Sequence, residues 1–275
     1  MSLDCRETQG AKLRVVGAGA FDDAVQTFLL EEVRPARLRE PRLAERLEDV
    51  APETVSSPAG LVTAWRVGSG PAVLLVHGWQ DDNSLWSPLI DELAARGRAL
   101  VAFDLPAHGV SGGEWGLGSE GTDGVHAVAG AFGPIDAVVA HSFGAGCAAL
   151  AMAEGLAVPK AVFISTPLAA GGNRWRRNAD RRGVSLEIAD AAKRIYDDKQ
   201  GPSRARYSGR AVISTLDVNL LLIHSTDDER YPFTDAQEVA PLCRRAELLT
   251  VHGLTHRRTA RDPEVVTRVA DFVMG

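Results

Sequence analysis

No apolar run in the chain approaches the roughly 20 residues of a membrane span; the strongest, such as AVLLV at 72–76, are short. Nor does the opening MSLDCRETQGAKLR contain the apolar stretch of a secretory leader. Both absences predict a cytoplasmic protein without a membrane partner. Cysteine is scarce: Cys5, Cys147 and Cys243 are odd in number and far apart. They offer neither a disulfide framework nor a CxxC metal pair. Basic excess is missing too, with 30 Lys and Arg against 36 Asp and Glu for a net charge of −6. That argues against a nucleic-acid binder, which carries a basic footprint. No HExxH and no phosphate-cradling loop occurs, and GAG at 17–19 lacks the third glycine and the strand of a dinucleotide site. The expectation is no metal, no cofactor and a small-molecule substrate.

What remains has an ordinary globular composition, 45% hydrophobic and 24% charged over 275 residues. Six apolar runs recur: 72–77, 99–104, 136–141, 161–165, 219–224 and 247–253. They are continuous in Val, Leu, Ile and Ala, as in strands buried on both faces of a parallel sheet. Amphipathic stretches at 84–97, 144–155, 234–245 and 262–273 predict helices between and after them. Asp262 and Pro263 suit the start of the last one. LVTAWRV (61–67) alternates and predicts an antiparallel edge strand. Alternating strands and helices make an α/β fold with helices on both faces.

Two regions break the rhythm. Residues 1–58 carry little strand pattern, and 31–50 holds eleven charged residues in twenty. This predicts an N-terminal helical arm over the sheet edge, interrupted at Pro35 and Pro41, with the main domain at 59–275. The connection at about 168–212 is too long for a simple turn and predicts a lid. It carries eleven Lys and Arg against five acids, a balance of +6 that leaves −12 for the rest of the chain. A basic lid would concentrate anionic substrates; the alternative is a solvated helix face.

The chemistry centres on AVVAHSFGAG (137–146). A buried strand ending at His141-Ser142 and a small-residue helix from Gly144 place Ser142 on a tight strand-to-helix turn, its hydroxyl raised above the sheet. Ala140 stands where the usual pattern has a first glycine. A serine hydroxyl needs a base, and histidine both accepts and returns a proton near neutrality. His256, in GLTHRR beyond the last strand, is the preferred base, with His252 as fallback. The acid follows the preceding strand in STDDERYPF (225–233), where Asp228 is preferred to Asp227. An oxyanion needs two backbone donors: Phe143 after the serine, and Trp79 in HGWQ (77–80). His77 and His108 are expected to brace loops. Trp175, Trp79 and Trp86 are candidates to line an apolar substrate pocket.

These motifs, with FDLPAHGVSGG (103–113), resemble the α/β-hydrolase family over residues 60–275. The resemblance implies a mostly parallel eight-stranded sheet with a small helical lid. It also implies a triad of Ser142, Asp228 and His256, with Phe143 and Trp79 as oxyanion donors. The expected activity is hydrolysis of a small carboxylic ester or related acyl compound through an acyl-enzyme. The same residues would serve a lyase or perhydrolase of this fold, or a ligand-binding sensor that keeps the triad.

Overall fold

The computed structural model describes residues 18–36, 44–169, 173–201 and 208–275. Cys5 and the GAG segment's first glycine fall outside them, as do Arg204 and Arg206 of the basic connection. In chain order the elements begin with helix α1 (Ala18–Val33) and the hairpin β1 (Glu53–Ser57) and β2 (Gly60–Val67). Strand β3 (Ala72–Val76), helix α2 (Ser87–Ala95), strand β4 (Ala99–Phe103) and helix α3 (Gly118–Phe132) follow. Next come β5 (Ile135–His141), α4 (Phe143–Ala153) and β6 (Lys160–Ile164), then α5 (Asn173–Arg182), α6 (Leu186–Gln200) and α7 (Gly209–Ser214). Strand β7 (Asn219–Ser225), helix α8 (Phe233–Val239), strand β8 (Ala246–Val251) and helix α9 (Pro263–Met274) complete the chain.

The strands form one eight-stranded sheet in the order β1-β2-β4-β3-β5-β6-β7-β8. Strands β1 and β2 run antiparallel to their neighbours, and every other pairing is parallel. The six apolar runs account for the six parallel strands. In β3 every residue is buried, because helices cover both faces. Leu74 and Val76 face one apolar layer with Val125 of α3 and Ala145 of α4. Val73 and Leu75 face the other, with Leu89 of α2 and Val269 of α9. Each such aliphatic side chain withdrawn from water contributes about 1.5–3 kcal/mol.

Four expectations are corrected. The sheet begins before residue 59, because ETVSS (53–57) pairs with β2 through the turn at Pro58-Ala59. Strand β1 has no buried residue, so it carries no hydrophobic signature to read. It also displaces 61–67 from the edge, since β2 is flanked by β1 and β4. Helix α1 does not lie over the sheet edge; it packs on α6 and shares an apolar cluster with α5 and α6. The helix expected over 234–245 stops at Val239, and a 3-10 turn containing Pro241 follows.

Backbone approach is closest where α4 meets the end of β3. A Cβ on Gly144 would stand 2.2 Å from the His77 carbonyl oxygen and 2.7 Å from that of Val76, neither of which can rotate away. Gly146, one half-turn on, has nothing within 4 Å of its would-be Cβ. Gly144→Ala should therefore lose about 1–3 kcal/mol or more through overpacking. Gly146→Ala should gain ~0.5–1 kcal/mol from helix propensity. Urea unfolding midpoints of the two variants check both signs.

Candidate active site

All the loops that carry the singled-out residues leave the carboxyl ends of parallel strands, where open α/β sheets bind ligands. Ser142 follows β5. Its backbone lies at φ 51, ψ −117, a region an L-residue enters at a cost of about 1–3 kcal/mol. The turn is fastened by a hydrogen bond from the Ser142 N–H to the Ile164 carbonyl at 2.9 Å. Two glycines admit it: Gly144 against the end of β3, and Gly78, whose Cβ would stand 2.7 Å from His141 Nδ1 and 3.3 Å from Ser142 Cβ. The position before the pattern tolerates Ala140 because its methyl is buried in the apolar layer beneath the sheet.

Ser142, His256 and Asp228 come together from separate loops. His256 Nε2 lies 2.8 Å from Ser142 Oγ, and His256 Nδ1 lies 2.8 Å from Asp228 Oδ2. Burial works to raise the Asp228 pKa. Hydrogen bonding and charge from His256, with N–H donation from Tyr231 and Arg230, outweigh it and hold the group at about 2. An ionised Asp228 accepts the His256 Nδ1 proton, which leaves Nε2 free to accept from the serine hydroxyl. Asp227 turns elsewhere: its Oδ2 accepts from the Gly253 N–H at 2.8 Å and from Thr226 Oγ1 at 2.7 Å. His252 is exposed, with Nδ1 3.0 Å from Thr226 Oγ1.

Several supports of His256 were not legible beforehand. Its N–H donates to Glu229 Oε2 at 2.8 Å. Its carbonyl accepts from His141 Nε2 at 3.1 Å and from Ser165 Oγ at 3.4 Å. Burial, and then the nearby His256, push the His141 pKa down to about 3, so His141 stays neutral and serves as a donor. Arg257 forms a bidentate pair with Asp81, Nε to Oδ2 at 2.8 Å and Nη2 to Oδ1 at 3.0 Å. Burial opposes ionisation of Asp81, but Arg257 outweighs it and the carboxyl stays below its usual range. This fork ties the loop after β3 to the loop after β8. These partners are scattered singly along the sequence, and no spacing announces them.

Phe143 opens α4, so its amide is among those without an intrahelical acceptor. Trp79 follows Gly78, which is pressed against Ser142. The two amides expected to face an oxyanion thus belong to segments that meet beside the serine. His77 braces the same loop: its Nε2 accepts from the Leu105 N–H at 2.9 Å, so Nδ1 donates to the Gly78 carbonyl at 2.8 Å.

Ser142 opens into a cavity of about 930 Å³, with Trp79, Phe143, Leu150 and Tyr231 in its wall. Trp175 also borders it, although its ring is buried between Phe28 and Tyr196, at 6.1 and 5.1 Å. Trp86 does not border it. Its side chain is fully buried in the layer with α2 and α9, because it sits in the 3-10 turn leading into α2. Among the described residues, no group of three His, Cys, Asp or Glu is placed to hold a metal ion. No helix there is long and apolar enough to cross a membrane.

A family model described as the alpha/beta hydrolase family matches residues 73–270. An uncharacterized protein of Mycobacterium tuberculosis is 41% identical over 68 residues, 24% of this chain and 20% of that protein. The pimeloyl-[acyl-carrier protein] methyl ester esterase of Xylella fastidiosa is 43% identical over 42 residues, 15% of this chain and 16% of that enzyme. The chain therefore spans a fifth or less of these relatives' length. Among solved structures, an esterase of Pyrococcus furiosus superposes with a TM-score of 0.69 at 20% identity, covering 88% of this chain and 97% of that one. A bromoperoxidase of Bacillus anthracis does so with 0.61 at 16% identity, covering 82% and 100%. At these identities the likeness is one of fold.

The depressed Asp228 pKa has a stability consequence. Its ionised form favours the folded state fully above the ordinary value of 3.8, and this contribution disappears as pH falls toward about 2. Between about pH 5 and pH 2, the native protein should lose on the order of 2 kcal/mol more unfolding free energy than Asp228→Asn. Denaturant titrations at stepped pH check this; parallel losses would contradict it.

Proposed function

Because the chain belongs to the alpha/beta hydrolase family, we propose that it is a serine hydrolase cleaving carboxylic esters through an acyl-enzyme. The observation that carries the reading is the unbroken hydrogen-bond path from Ser142 through His256 to Asp228, both links 2.8 Å. His256 Nε2 takes the hydroxyl proton as Ser142 Oγ bonds to the ester carbonyl carbon. Charge moves onto the carbonyl oxygen, which the amides of Phe143 and Trp79 receive. On collapse the C–O bond to the alcohol breaks, and His256 returns its proton to the departing oxygen. Water then gives a proton to His256 as its oxygen bonds to the acyl carbon; the bond from that carbon to Ser142 Oγ breaks, His256 returns the proton to Oγ, and the acid leaves. Asp228 keeps the imidazole tautomer and stabilises the imidazolium. In this reading α1, α5 and α6 form a cap over the site.

Intact mass after exposure to a small fluorophosphonate tests the nucleophile. One adduct is expected on the native protein and none on Ser142→Ala; a folded native protein that takes no adduct overturns the reading. On a simple ester, Ser142→Ala should lose several orders of magnitude in kcat. Asp228→Asn should lose about ten-thousandfold. Asp227→Asn should cost far less, since its carboxylate holds the turn at Gly253 rather than the base. Equal losses at 227 and 228 would remove Asp228 from its role.

A further inference from the structure

Helix α5 borders the cavity with a basic face whose Arg174 and Arg177 are half-buried and whose Arg181 and Arg182 are exposed. Trp175 and Ala179, four residues apart, are buried in the cluster shared with α1 and α6. Arg174, Arg177 and Arg181, spaced by three and four along the helix, border the cavity above Ser142 together with Arg182. Two of the four arginines are answered by α1. Glu32, only 4% exposed, accepts from Asn178 at 2.8 Å and pairs with Arg182 at 3.3 Å and Arg174 at 3.7 Å. Glu31 pairs with Arg182 at 2.8 Å.

Arg177 and Arg181 differ. Among the described residues neither forms an ion pair with a carboxylate. Asp235 acts on Arg177 electrostatically without joining it. The Arg177 guanidinium lies over the Tyr231 ring, 5.2 Å from its centre, and that ring lies 5.5 Å from the His256 ring. A cation that forms no ion pair among the described residues thus stands one aromatic ring from the imidazole beside Ser142. A guanidinium cannot shed its charge, and its planar fork matches a carboxylate. Facing a walled cavity, it attracts an anion more strongly than at an open surface.

We propose that Arg177 and Arg181 form an anion subsite, and that the substrates are esters bearing a carboxylate away from the scissile bond. This rests on the serine-hydrolase reading. The carboxylate can sit on the acyl side, as in a half-ester of a dicarboxylic acid, or on the alcohol side, as in an acylated hydroxy acid. The position of Tyr231 beside His256, which protonates the departing alcohol, favours the alcohol side.

Acid release from two matched pairs tests the subsite. One pair is monomethyl adipate against methyl heptanoate; the other is butanoyloxyacetate against propyl butanoate. In at least one pair, kcat/KM for the anion should exceed that for the neutral ester by about tenfold or more at low salt. That ratio should shrink at about 0.5 M NaCl. It should fall by about tenfold in Arg177→Gln/Arg181→Gln, with partial recovery in Arg177→Lys. The pair that responds identifies the side on which the charge lies. Ratios near one in both pairs, or ratios unmoved by the double substitution, overturn the subsite.

Calorimetry on Ser142→Ala, titrated with the same two anions, reads the subsite without turnover. The better-binding anion should lose about tenfold in affinity on adding the two Arg→Gln changes. Unchanged or undetectable binding counts against the subsite. Arginine-dependent binding with no fluorophosphonate adduct and no turnover would retire the hydrolase reading and leave the subsite standing. Adduct formation with indifferent ratios would do the reverse.

Discussion

The active end of the sheet depends on one close approach, the first turn of α4 lying against the last residues of β3. Gly144 makes it possible, since any Cβ there would meet the carbonyl oxygens of His77 and Val76. The approach brings the loop after β3 beside Ser142 and so sets two backbone segments around one hydroxyl. It also forces Ser142 to φ 51, and that strain persists because neighbours over-determine the turn. The Ser142 N–H is committed to Ile164, and Gly78 leaves no room for the loop to relax. A looser junction would relieve the backbone and lose the alignment with His256.

The second requirement of the proposed mechanism is a base that does not wander. His256 sits on a loop whose neighbours on both sides are exposed, yet its own polar groups are all engaged. Nδ1 meets Asp228, the N–H meets Glu229, and the carbonyl meets His141 and Ser165. The Asp81–Arg257 fork joins this loop to the one bearing Trp79. Bidentate geometry restricts rotation as well as distance, so the base and one proposed oxyanion donor keep a fixed relation. Preorganisation of this kind is what a site needs if charge is to develop without rearrangement.

The sequence made the central sheet legible because buried parallel strands must be apolar on both faces, and six runs satisfied that. It made Ser142, Asp228 and His256 legible because each follows such a run in a fixed chain order. Other parts left no trace. Strand β1 has one apolar side chain, Val55, half-buried against the core, so ETVSS reads as loop. Helix α3 is rich in glycine and has weak helix propensity, yet the glycines serve it: a Cβ at Gly121 would stand 2.5 Å from Cys147 Sγ, and one at Gly124 would stand 2.9 Å from Pro106 Cδ. Close packing there overrides local preference. Trp86 misled for the opposite reason. An indole near a site loop looks like a pocket wall, but the turn at 83–86 points it into the core.

The N-terminal helix borders the cavity in a way that its composition conceals. Its charges read as those of an arm over the sheet edge, yet Glu31 and Glu32 border the cavity and Glu32 is nearly inaccessible. Burying a carboxylate is costly unless it is paired and hydrogen-bonded, and Arg174, Arg182 and Asn178 meet that condition. The same pairing accompanies four arginines of α5 at the border of the cavity. Between the two helices Phe28 packs on Trp175, with Arg182 over the first ring and Arg174 over the second. Helix α1 therefore neutralises part of that face and leaves Arg177, which lies over Tyr231 beside His256, without an ion pair among the described residues. The form of the cavity is thus set jointly by the segment before the sheet and the connection between β6 and β7.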